Sequence, residues 1–177
     1  MSAAIKKTYV IEWQGPFSLD EINEIKDKKN SGSLYLVSGL QRYQRGDSVV
    51  QYIGISKRGA AIRFKDKEHK SELVPRERQY WLGHITNAPE KKESNLRLVE
   101  HALLYTCKPP LNVQNVDRQP HFPVLVVNRW LNKSGDIYRQ RRIWPVQKDV
   151  PDIIMFDGTD AWTCDKLIWR PELYNEL

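Results

Sequence analysis

The order of strand-like and helix-like segments predicts an α+β fold. Three observations carry that expectation. Residues 1–117 alternate short β-branched and aromatic runs with amphipathic helical stretches, in the order β-α, then β-β-α-β-α. Residues 118–177 read as hairpins without a long helical pattern. Hydrophobic residues make up 40% and charged residues 28% of 177, the composition of a folded chain with room for one domain and a substantial core, which excludes a disordered chain and a large multidomain machine.

Taken in order, Thr8–Trp13 reads as a strand and Gly15-Pro16 as a turn. Ser18-Leu-Asp-Glu21 has the capping-box pattern, in which a hydroxyl and a carboxylate satisfy free N–H groups at a helix start. That helix is expected to run through Ile22 and Ile25 toward Lys29 and to stop at Asn30-Ser-Gly32. Ser33–Ser38 and Val49–Gly54 are strands joined by a polar connection carrying Arg42, Tyr43 and Arg45. From Lys57 the pattern turns helical, with Ala60, Ala61, Ile62 and Phe64 as its apolar positions. A third strand is expected at Gln79–Thr86, followed by the Asn87-Ala-Pro89 breaker. The clearest helix spans Ser94–Cys107, with Leu96, Val99, Leu103 and Leu104 on one stripe, and ends before Pro109-Pro110. Two hairpins follow, over 122–144 and 153–169, the second turning at Asp157–Asp160.

Charge is distributed unevenly. The 28 Lys and Arg exceed the 22 Asp and Glu by six, and residues 33–117 hold fourteen of the bases against nine of the acids. A surplus concentrated in one half favours a polyanionic partner. No apolar run can span a bilayer and no signal-like segment leads the chain, so the expectation is a cytoplasmic protein with no membrane partner. Cys107 and Cys164 lack the spacing of a zinc site and read as buried or partly buried thiols.

One ordered set of residues carries chemistry. Tyr35 lies in a strand, Tyr52 and Gly54 lie in the next strand, Arg63 follows on a helix, Glu100 sits on the later helix, and Asn112 comes just after it. A carboxylate on a rigid helix can bind a hard divalent cation that polarises a phosphate. A guanidinium forks onto the charge that grows on phosphate oxygens. Two phenols can position or deprotonate a water, and a glycine allows close backbone approach.

At these residues the chain resembles the GIY-YIG nuclease superfamily. Ser33-Leu34-Tyr35 corresponds to the family's first motif and Tyr52-Ile53-Gly54 to its second, letter for letter. Arg63, Glu100 and the Pro110-Leu111-Asn112 tail fall at the family's later positions. The resemblance covers roughly residues 33–115, the half with the charge surplus. It implies a core of a three-stranded antiparallel sheet flanked by helices over 33–117, with a β-α addition at 1–32 and a β-rich extension at 118–177. It further implies a Mg²⁺-dependent (or Mn²⁺-dependent) endonuclease acting on double-stranded DNA as a site-specific, restriction-type homodimer. Under that implication Glu100 holds the metal, Arg63 meets the phosphate, Tyr35 and Tyr52 position and activate water, and Asn112 braces the site.

The chain also departs from the family pattern. Ser33 and Leu34 replace the Gly and Ile of the first motif, and Lys67 stands where many members carry His or Tyr. On a continuous helix Lys67 shares the face of Arg63 at i,i+4 and assists at the phosphate, so general-base work moves to Tyr35 or a metal-bound hydroxide. His69 falls off that face and is read as solvated or helix-terminal; His84 on the third strand is read as structural, and His101 as turned away from Glu100. Lys57, Arg58 and Lys65 are either a solvated face or phosphate contacts, and Arg42, Arg45, Arg139 and Arg141 are further candidate DNA contacts. The Trp residues are assigned to packing. Two alternatives stay open: a nuclease-fold protein that binds nucleic acid without cutting, and a structure-specific repair nuclease.

Overall fold

In the computed structural model, residues 5, 7–25, 32–66, 69–89, 92–138 and 146–165 are described. Their strands are β1 (Lys7–Phe17), β2 (Leu34–Leu40), β3 (Val49–Ile55), β4 (Arg76–Ile85), β5 (Val124–Leu131), β6 (Ile153–Phe156) and β7 (Ala161–Cys164). All seven join one mixed sheet in the order β3-β2-β4-β1-β5-β6-β7, antiparallel throughout except for the parallel pair β1-β5. The helices are α1 (Leu19–Glu24), α2 (Ala60–Arg63), α3 (Glu93–Cys107) and α4 (Val146–Asp149), with a 3₁₀ turn at Lys70–Leu73. The fold is therefore α+β. No described helix is long and apolar enough to cross a membrane.

The three strands expected between residues 33 and 117 lie side by side as β3-β2-β4, and β1 continues their sheet toward the C-terminal strands. Every residue of β2 is buried, because both faces of the sheet are covered. Leu34 and Leu36 face a cluster that contains Trp13, Ile53 and Trp81 and is closed by Leu96, Val99 and Leu103 of α3. Tyr35 and Val37 face a second cluster with Ala60, Ala61 and Phe64 around α2. A strand buried on both sides needs apolar residues at every position, which is why Leu34–Val37 shows no alternation.

The outer edge of β3 is closed by side chains and loops. Val50 donates its N–H to Asp149 Oδ2 at 2.7 Å, and Gln51 C=O accepts from the Leu111 N–H at 2.9 Å. Asn112 accepts from the Ile53 N–H at 2.9 Å and donates to the Ile53 carbonyl at 2.8 Å. An edge whose polar groups are already paired offers no template for a further strand.

Several expectations are corrected. Gly15-Pro16 does not end β1: the pairing with β4 shifts register between Gln14 and Phe17, and Phe17 rejoins opposite Tyr80. The capping box at Ser18 and Glu21 is formed, but α1 ends at Glu24, where Ile25 is already extended; residues 26–30 lie outside the described set. The long helix from Lys57 is a single turn that starts only at Ala60 and stops at Arg63. Within the expected hairpin at 122–144 the described residues turn at Asn132–Asp136 and pair Leu131 with Ile137 and the Tyr138 N–H with the Trp130 carbonyl, residues 139–144 lying outside the described set; β5 also takes β1 and β6 as neighbours, which the local pattern does not foretell. The hairpin of β6 and β7 forms as expected. Cys107 is half-buried, whereas Cys164 is exposed on β7 rather than packed.

Where β1 meets β5, a polar pair is buried in the aromatic core. The Trp13 indole N–H donates to Asn128 Oδ1 at 2.8 Å, and Asn128 Nδ2 donates to the Pro151 carbonyl at 2.7 Å. Asn128 is fully buried, and Trp13 stacks on Trp130 with centroids 6.0 Å apart. Asn128→Ala strands the indole N–H away from water. It is expected to lower the unfolding free energy by about 2 kcal/mol or more in urea titrations; a loss under about 0.5 kcal/mol contradicts this reading of the core.

Candidate active site

Three elements converge on one phenol. Tyr35 on β2 is 1% exposed and lies opposite Gly54 of β3 in the antiparallel register. A Cβ at position 54 would stand 2.6 Å from Tyr35 Oη and 2.7 Å from its Cζ, so only glycine leaves room for the ring to cross the neighbouring strand. Gly54 thus admits a side chain rather than backbone. Tyr52 reaches the same face because Gln51 is bulged out of the β2-β3 register, which lets Val50 and Ile53 share the opposite face while Tyr52 joins Tyr35. The two rings stack with centroids 6.0 Å apart.

His69 completes the cluster. Because α2 stops at Arg63, the chain turns at residues 64–66 and returns His69 beneath the tyrosines, 3% exposed. His69 is helix-terminal, as expected, capping the Lys70–Leu73 turn, but it is buried rather than solvated and lies against the tyrosines rather than off the site. Its ring lies 5.4 Å from that of Tyr35, 5.6 Å from that of Tyr52 and 5.0 Å from that of Phe64. The Ser71 N–H donates to His69 Nδ1 at 3.0 Å, which assigns the ring proton to Nε2, 3.3 Å from Tyr35 Oη. Burial, and next the charge of Arg63, push His69 down to about 4, so the imidazole is neutral near pH 7.

Electrostatics then define what the phenol can do. Burial, with Tyr52 beside it, pushes Tyr35 well above the usual phenol range against the pull of Arg63. Near pH 7 Tyr35 therefore keeps its proton in the free protein, which favours a donor's role there over deprotonation of water. His69 Nε2–H donating to its oxygen leaves the Tyr35 proton free to point elsewhere.

Arg63 is half-exposed at the end of α2 and pairs with Asp66, which also accepts from Arg58 Nη2 at 3.0 Å. Lys57 pairs with Glu93 of α3, which holds Arg97 as well. The candidate contacts Lys57 and Arg58 therefore have acidic partners, but in exposed pairs of little net strength that a phosphate can displace. Lys65, Arg42 and Arg45 are exposed. Lys67, Arg139 and Arg141 lie outside the described residues, and the i,i+4 argument for Lys67 lapses with the end of α2.

The main apolar stripe of α3 packs on the other face of the sheet, and no hydrogen bond or ion pair among the described residues joins Glu100 to Tyr35, Tyr52 or Arg63. Glu93, Arg97 and Glu100 form an i, i+4, i+7 stripe, and the Lys57-Glu93 pair ties that stripe to the chain leaving β3. Burial pushes Glu100 up to about 7 against the pull of Arg97. Its carboxylate has no hydrogen-bond donor among the described residues. These residues contain no group of three or more His, Cys, Asp or Glu able to cage a metal. A hard divalent cation is commonly held by one or two carboxylates plus water and substrate oxygens, and a lone desolvated Glu100 suits that mode. His101, by contrast, holds its Nε2 2.6 Å from the Arg118 carbonyl and serves structure, as its angular position predicts.

No family model, curated protein or solved structure matches this chain.

The raised Glu100 has a measurable consequence. It keeps its proton to about pH 7 when folded and loses it near 4.5 when unfolded, so the folded state binds more protons across that window and stability falls as pH rises through it. His69, lowered to about 4 from 6.5, contributes the opposite slope between those values but does so equally in a Glu100 variant. At pH 8 without divalent cation, Glu100→Gln is expected to exceed wild type in unfolding free energy by about 1–3 kcal/mol. At pH 5 the gap should shrink below about 1 kcal/mol. Chemical denaturation at the two pH values reads both; equal stabilities at pH 8 would mean that Glu100 is not desolvated.

Proposed function

We propose that the chain is a Mg²⁺-dependent DNA endonuclease of GIY-YIG type, hydrolysing phosphodiester bonds as a site-specific homodimer on double-stranded DNA. The observation that carries the reading is the convergence of Tyr35, Tyr52 and Arg63 from β2, β3 and α2 on one place. The β3-β2-β4 order and the clasp of Asn112 on β3 are in keeping with it.

The residues divide the work by their electrostatics. Arg63, exchanging Asp66 for substrate, forks onto the non-bridging oxygens as charge grows there. Tyr35, kept protonated by burial and oriented by His69 Nε2–H, donates a hydrogen bond to a phosphate oxygen or to the attacking water. Tyr52, half-buried beside it, holds that water in line. Glu100 would hold Mg²⁺, whose Lewis acidity lowers the charge on the phosphate and on the leaving oxygen. In the reaction one P–O bond to water forms while one ester P–O bond breaks, and the proton that the attacking water gives up is balanced by one taken from solvent by the departing ester oxygen. Asn112 keeps β3, and with it Tyr52, in register. One such site cuts one strand, so a double-strand break calls for two copies related by a two-fold axis.

Supercoiled plasmid and mixed-sequence genomic DNA provide the test. Wild type with Mg²⁺ is expected to nick or linearise the plasmid, EDTA and Glu100→Ala to stop the reaction, and Arg63→Ala to slow it by about 10²–10³-fold. Equal nicking by Glu100→Ala would remove the metal assignment. Binding without product in either Mg²⁺ or Mn²⁺ would favour the reading in which the fold binds DNA without cutting.

A further inference from the structure

Between β2 and β3 the chain makes a surface loop of an unusual kind: its tip is bare and its base is wired into the sheet. Tyr43 is 83% exposed, with the Arg42 guanidinium 5.4 Å from its ring centroid, and Arg45 is exposed beside it. Below the tip, Gln51 is fully buried. Its Nε2 donates to the Gly39 carbonyl at 2.9 Å and to Gln44 Oε1 at 2.6 Å, and its Oε1 accepts from Gln41 Nε2 at 3.0 Å. The Gln41 N–H donates to Gln44 Oε1 at 3.1 Å, and Arg76 Nη2 of β4 donates to the Gln41 and Gln44 carbonyls.

Such a network costs desolvation of several amides, and the one fully buried amide in it, Gln51, has both its oxygen and its nitrogen bonded. It does not cover the aromatic ring it supports. A large exposed tyrosine on a loop pinned by side-chain hydrogen bonds has lost the freedom that would let it fold back onto the protein, so the order is of use to a partner rather than to the core. The mount is specific too. Gln51 is the bulged residue, and the next residue is Tyr52 of the phenol cluster. A displacement of the loop is therefore a displacement relative to the candidate active site, one residue away along the strand.

The chemistry of the tip is an aromatic face flanked by two guanidinium groups. Phosphates meet guanidinium groups, and a base meets an aromatic ring. Resting on the nuclease reading above, we propose that the Arg42–Arg45 loop is a rigid DNA contact element: Tyr43 stacks on a base next to the cleaved step, Arg42 and Arg45 grip the flanking phosphates, and Gln51 is the positioning residue that sets the distance from that contact to Tyr52.

The test is fluorescence anisotropy of the full chain with labelled duplex DNA in EDTA across a salt series, run beside the cleavage assay. Tyr43→Ala is expected to weaken binding by about tenfold or more with an unchanged salt slope, and Tyr43→Phe to retain it. Arg42→Ala and Arg45→Ala should each reduce the slope of log K against log salt by about one. Gln51→Leu should lower cleavage more than binding, since it moves the contact relative to the site; because that variant can also unfold, the exposed Tyr43 and Arg variants carry the decision. If wild type binds and Tyr43→Ala binds equally well, the loop inference is overturned while the nuclease reading stands. If wild type shows no salt-dependent binding but cuts, the loop inference is overturned alone; if it neither binds nor cuts, both are.

Discussion

The contact on which the rest of the site depends is the Tyr35 ring lying across Gly54. It joins β2 to β3 through a side chain where backbone pairing alone would leave two strands free to bend, and it fixes the phenol oxygen at one place beside Arg63 and His69. Phe64 packs edge-on against that ring at 4.9 Å, so the short helix α2 and its Arg63 are positioned by the same phenol. His69 then fills the remaining side and supplies a hydrogen bond. Remove the glycine and each of these neighbours must shift.

The electrostatic character of the site follows from that enclosure. Burial keeps Tyr35 protonated and His69 neutral, so the interior of the cluster carries no charge while the charged groups, Arg63 with Asp66, sit at its rim. A neutral, ordered interior beside an exchangeable cation is suited to receiving an anion. Glu100 is held at a cost, since its desolvated carboxylate has no hydrogen-bond donor among the described residues. Groups kept in such unfavourable states are where stability is given up for a task, and they are functional candidates on physical grounds.

Much of the fold was legible because it is written in local patterns. The capping box at Ser18 and Glu21, the stripe of α3 ending before Pro109, and the apolar runs of β2 and β3 each follow from short-range rules. What was not legible depends on distant pairing. The parallel contact of β1 with β5 joins residues more than a hundred positions apart, so local patterns give the apolar run at Val124–Leu131 as a strand but not its neighbours. His69 was misplaced for a related reason: a helical pattern from Lys57 was extended past the point where Phe64 and the Arg63-Asp66 pair end the turn. No spacing rule could have recovered it, although a histidine two residues before Ser71, whose backbone N–H the ring caps, is a weak local signal of a fixed imidazole. Gly54 was singled out correctly as a place of close approach, but only the register shows what approaches.

The most direct measurement is the Mg²⁺-dependent cleavage rate of Tyr35→Phe, taken together with its unfolding free energy. The ring and its packing over Gly54 are kept, and only the oriented hydroxyl is removed. The account predicts a folded protein, within about 2 kcal/mol of wild type, that cuts DNA slower by about 10²-fold or more. A Tyr35→Phe protein that cuts at the wild-type rate would contradict it.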